Sequence, residues 1–97
     1  MKTLLMILGI TTLLAAADGA ALFQKCTSCH GAEGEKHALN KSRVIKEMRQ
    51  DEIAAALKGY KAGTYGGAMK ALMKGQVAAY DDEQIDTLAA FIAAKKQ

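Results

Sequence analysis

The chain has 97 residues, a formal net charge of +3 at pH 7, two cysteines and no proline. That length argues for one domain, and so slight a charge gives no argument for a nucleic-acid partner, so none is expected. The cysteines lie three positions apart, so a disulfide between them would close a tiny loop and constrain little of the chain.

The N-terminus reads as an export signal. Lys2 supplies the positive start, Leu4 to Leu14 form a short apolar run, and Ala15-Ala16-Ala17 offers the small residues at which signal peptidase cuts. The run is shorter than the roughly 20 apolar residues that span a bilayer. Residues 1–17 are therefore expected to be a cleaved signal peptide, with a retained anchor as the alternative, and residues 18–97 the mature domain. A domain of about 80 residues buries little apolar surface and usually needs a staple. A large hydrophobic cofactor would serve.

Strand signals are absent, with few β-branched residues and no period-2 alternation, so the fold class is all-α. A first helix is expected from Asp18, as cap, to about Cys26, with Ala21, Leu22 and Phe23 on its apolar side. Residues 31–43, with Gly31, Gly34 and Asn40 among charges, read as loop. A second helix is expected from Asp51, as cap, to Tyr60; Ile53, Ala56, Leu57 and Tyr60 share a face, and Gly59 and Gly63 mark its end. After Gly66-Gly67 a single helical turn runs to Met73, and Met73 to Val77 reads as a flexible loop. The last helix is capped by Asp81 or Asp82. Ile85, Leu88, Ala89 and Ile92 follow the i, i+3, i+4, i+7 pattern, and Lys95 and Lys96 sit at its negative end.

The chemistry concentrates in Cys26-Thr27-Ser28-Cys29-His30. Cys-x-x-Cys-His is the pattern that holds haem covalently: two thiols add to the two vinyl groups, and the adjoining histidine becomes the proximal iron ligand. A zinc site using Cys26, Cys29, His30 and His37 would force adjacent residues onto one tetrahedral ion and lacks a second Cys-x-x-Cys. A thioredoxin-like pair needs strands that the sequence does not offer.

The iron's second axial position has several candidates. Met48, Met69 and Met73 lie in the mature part. Spacing favours Met73, in a stretch that can cross the open haem face while the terminal helices pack together. Met69, four residues earlier, could share a helical face with it, and Met48 falls in a segment that looks peripheral. His37 follows His30 by seven residues and reads as a solvated surface histidine. An open sixth site is the remaining alternative.

The mature chain resembles the class I single-haem cytochromes c, specifically the short bacterial cytochrome c-553 type. The resemblance covers nearly all of residues 18–97. It rests on Asp18 to Phe23, Cys26 to Gly31, Leu57 to Gly63, Tyr65-Gly66-Gly67, and the spacing of Met73 to Tyr80-Asp81-Asp82-Glu83. It implies the small cytochrome c fold, in which terminal helices cross around one covalently bound haem c. It places the sixth iron ligand at Met73, pairs Gly19 with Phe91 at the helix crossing, and sets Tyr60, Tyr65 and Tyr80 near the haem or its propionates. The chain departs from many members in lacking the proline that follows the haem motif and helps orient the proximal histidine.

The function these features imply is single-electron transfer rather than catalysis. The protein is expected to be an exported, periplasmic monomer without stable membrane insertion. Redox partner proteins such as a dehydrogenase, an oxidase or a peroxidase would dock to it transiently. Residues 36–74 carry nine basic against three acidic side chains, a surplus suited to steering onto acidic docking sites. The rival reading is a haem peroxidase or gas sensor with a labile sixth ligand.

Overall fold

A computed structural model describes residues 18–38 and 43–95. The expected export segment, part of the 31–43 loop and Lys96 lie outside the described residues. Those described form helices and turns with no strand among them, as the composition implied. Residues 18–23 are helical (α1), pass through a 3-10 turn at Gln24–Cys26, and continue into Thr27–His30 (α2). A second 3-10 turn occupies Ile45–Glu47. It is followed by Gln50–Ala62 (α3), Lys70–Val77 (α4) and Asp82–Ala94 (α5).

α3 packs against both α5 and α4. The apolar positions on the expected faces are the buried ones: Ile53, Ala56 and Leu57 on α3, and Ile85, Leu88, Ala89 and Ile92 on α5. Ile85 and Leu88 are wholly enclosed. The two ends of the chain meet where α1 crosses α5. A Cβ on Gly19 would stand 2.7 Å from the Phe91 Cβ, so only a residue without a side chain permits this approach. The rings of Phe23 and Phe91 pack beside the crossing, 5.8 Å apart.

Caps explain where the helices begin and end. Asp81 accepts the Gln84 N–H at 2.8 Å, and the Gln84 side chain accepts the Asp81 N–H at 2.9 Å, a reciprocal capping box at the start of α5. Gly63, with φ 82°, closes α3 in a Schellman motif: its N–H donates to the Tyr60 carbonyl at 3.1 Å and that of Thr64 to Gly59 at 2.8 Å.

Three expectations are corrected. Asp51 does not cap α3; it lies in the first turn, the boundary residue is Arg49, and the Arg49 N–H donates to the Glu52 carboxylate at 3.0 Å. Asp18 is already helical. The stretch from Met73 to Val77 is not a loop but most of α4. Gly75 costs that helix only about 1 kcal/mol relative to alanine. Burial of Val77, with Met73 packed against the core one turn earlier, outweighs that penalty.

Candidate functional site

The cysteines and His30 are presented by a single turn of chain. Cys26 ends the first 3-10 turn and stands at the boundary of α2, which carries Cys29 and His30. The Thr27 hydroxyl donates to the Gln24 carbonyl at 2.9 Å, tying the two short helices together. Both cysteines are half-buried free thiols. Burial pushes the Cys26 pKa up, opposed by the charge of Lys25 and reinforced by Cys29.

His30 is buried, and that burial pushes its pKa below the ordinary imidazole range. The ring therefore stays neutral, with a lone pair to give, over more of the pH scale. Its carbonyl accepts the Lys36 N–H at 2.9 Å, which fixes the backbone at the head of the following loop. Its Nδ1 is enclosed and bonds to no polar atom among the described residues. Leaving a buried polar group unpaired costs about 1–3 kcal/mol. The chain lacks the proline that helps orient this ring in many relatives, and no described group takes over that role.

These three residues form one wall of a cavity of about 480 Å³. Leu57 and Tyr60 of α3, Leu88 and Ile92 of α5, and Met73 of α4 supply other walls. Sequence reasoning separated His30 from Met73 by more than forty residues; the fold brings both to the same space. Met69, the boundary residue of α4, lines it as well. His37 is exposed and contributes nothing to the lining.

The tyrosines expected near the site all line it. Tyr60 and Tyr65 meet edge to face with centroids 5.0 Å apart. The Tyr80 hydroxyl donates to the Leu22 carbonyl at 2.7 Å, so it ties α1 to the segment ahead of α5, while the Lys25 ammonium sits 4.4 Å from the ring centroid. The Lys61 ammonium reaches the Tyr80 carbonyl and holds the same segment to the end of α3.

Met48 was expected to be peripheral and is not. It is 5% exposed, belongs to the core and lines the cavity. The available signal was Ile45 and Met48, an i, i+3 apolar pair in a charged stretch, which the 3-10 turn folds inward.

The donor set suits one kind of guest. Two thiols, an enclosed neutral imidazole and a thioether surround a space within the roughly 300–1,000 Å³ typical of cofactor pockets. The lining is mainly apolar, so a flat hydrophobic macrocycle with a central metal fits. Among the described residues no group of three or more His, Cys, Asp or Glu side chains could hold a bare metal ion.

Comparison with known proteins agrees with this geometry. The family model described as cytochrome c matches residues 16–96. Cytochrome c-553 of Nitratidesulfovibrio vulgaris (strain Miyazaki F) is 40% identical over 100 aligned positions, covering 96% of this chain and 98% of the relative. That of Desulfomicrobium norvegicum is 45% identical over 75 positions, covering 76% and 91%. That of Helicobacter pylori strain 26695 is 35% identical over 99 positions, covering 99% and 100%.

Proposed function

Because this chain belongs to the cytochrome c family, as a class I single-haem member of the c-553 type with one covalently attached haem c, we propose that it carries single electrons with His30 and Met73 as iron ligands. The observation that carries the ligand assignment is that Met73, held in place by its packing against the core, lines the same cavity as Cys26, Cys29 and His30, while Met48 is buried in the core and Met69 is not packed against it. Iron held by an imidazole and a thioether supplies one-electron chemistry at a raised potential.

The chain's own residues do the rest. Cys26 and Cys29 would hold the group through thioethers. His30, kept neutral by burial, would offer its imidazole to the iron. Met73 would offer its thioether, which would keep small reactants off the metal and leave charge as the only thing exchanged. The apolar walls exclude water, so little solvent reorganises as the charge changes.

The test uses the haem-loaded protein. Its oxidised form is expected to show the near-red absorption band of a methionine-to-iron bond and to bind cyanide slowly. Loss of that band together with fast cyanide binding would instead favour a peroxidase or gas sensor.

Export to a bacterial periplasm, with residues 1–17 removed, is supported by the signal-like N-terminus and by a family match that begins at residue 16. No helix among the described residues is long and apolar enough to cross a membrane. Partner docking is steered by the basic middle segment. Of that segment, Arg43 stands at the cavity lining, and Lys70 and Lys74 are exposed on α4. Such contacts between exposed charges are screened beyond about 8 Å at physiological salt. Electron-transfer rate to an acidic partner should therefore fall steadily as ionic strength rises; a rate flat across salt removes the steering.

A further inference from the structure

The cavity is lined by three methionines rather than one: Met48, Met69 and Met73. Met48 is committed to packing, since it is buried in the core. Met73 is partly buried and also packs against the core. Met69 differs from both. It is half-buried and lines the cavity, yet it is neither in the core nor among the partly buried side chains packed against it. It stands four residues before Met73 at the boundary of α4, and its carbonyl accepts the Met73 N–H at 3.1 Å, so the two are one turn apart.

The chain leading into Met69 is tied to α3 only at its start, by the Thr64 N–H to the Gly59 carbonyl at 2.8 Å and the Tyr65 ring against Tyr60. Residues 64–68 are all exposed. Segments with so little buried apolar surface rearrange at small free-energy cost. Four residues of helix rise about 6 Å, so a shift of roughly one turn would bring Met69 to the place of Met73. One-turn displacements of a helix past its neighbours belong to the ordinary repertoire of switching proteins.

We propose that Met69 is a reserve thioether ligand. When Met73 leaves the iron, Met69 takes the vacated position. One sulfur–iron bond breaks and another forms, with no change in proton or electron count. The centre stays closed to small ligands and remains a carrier instead of becoming an open-site enzyme. This rests on the His30/Met73 ligation proposed above.

Three haem-loaded variants test it: Met69→Leu, Met73→Ala and the double variant. Leucine keeps the apolar volume of Met69 and removes only the sulfur. Far-UV circular dichroism on each checks that the fold is retained. Met69→Leu is expected to keep the near-red band at full intensity. Met73→Ala is expected to keep a thioether-to-iron band, shifted in position, and to bind cyanide about tenfold more slowly than the double variant. A Met73→Ala protein with no such band and the same cyanide rate as the double variant overturns the reserve role and leaves Met73 as ligand. Loss of the band in Met69→Leu alone overturns the Met73 assignment itself.

Discussion

Replacing both anchoring residues, as Cys26→Ala/Cys29→Ala, is expected to leave a chain that neither keeps its haem on dilution nor folds stably. The cavity these residues border measures about 480 Å³. If it is left unfilled, the walls lose the packing contacts that the guest supplies, and a small domain has only about 5–15 kcal/mol of stability to lose. The proposed ligands His30 and Met73 would still hold the macrocycle, but a guest held without covalent bonds stabilises only logarithmically in its free concentration, and not at all once it is diluted well below its Kd. Mass spectrometry should return the bare polypeptide mass, and the far-UV helical signal should collapse once the group is diluted away. A bare chain that kept native helicity and melted cooperatively would show that the helices do not need the guest, and the staple argument would fail.

The same dependence explains what the sequence could and could not reveal. The faces of α3 and α5 were legible because Ile53, Ala56 and Leu57, and Ile85, Leu88, Ala89 and Ile92, recur at helical spacing and need only one another to be buried. The start of α5 was legible to within one residue, Asp81 or Asp82, and the hydrogen bond returned by the Gln84 side chain settles it on Asp81. α4 was not legible. Its mean hydropathy is neutral and it contains Gly75, so nothing local demands a helix there. Val77 supplies the reason from a distance, because it is buried against elements far away in sequence. Met48 escaped notice in the same way: its neighbours are charged, and only the 3-10 turn before it folds it inward. The start of α3 was misread by two residues because Asp51 and Glu52 are both good first-turn acids, and which of them reaches back cannot be told from composition.

The close crossing of α1 and α5 yields the second large effect, and here the sign of a mutation decides the matter. Gly19→Ala would ordinarily stabilise a helix, by about 1 kcal/mol on propensity alone. At this position the new Cβ would stand 2.7 Å from the Phe91 Cβ and 3.0 Å from two atoms of its ring. Carbon atoms settle at about 3.5–4.0 Å, so the helices must part by close to 1 Å. Parting them loosens the Phe23–Phe91 ring contact and disturbs Ile92, which is buried next to Phe91 in sequence and also lines the cavity. Overpacking of this kind costs about 1–3 kcal/mol, which outweighs the propensity gain. The net loss is about 1 kcal/mol, so thermal melting of the haem-loaded protein should drop by about 6 °C, given about 4–8 °C per kcal/mol for a domain of this size. Phe91→Ala in the Gly19→Ala background should not relieve it, because the nearest clashing atom is the Phe91 Cβ that alanine retains. The neighbouring Ala20 is exposed, so Ala20→Ser there should change the melting temperature little. A Gly19→Ala protein that melted higher than the parent would mean that the helices do not touch at this point, and that the terminal crossing over the cavity is looser than described.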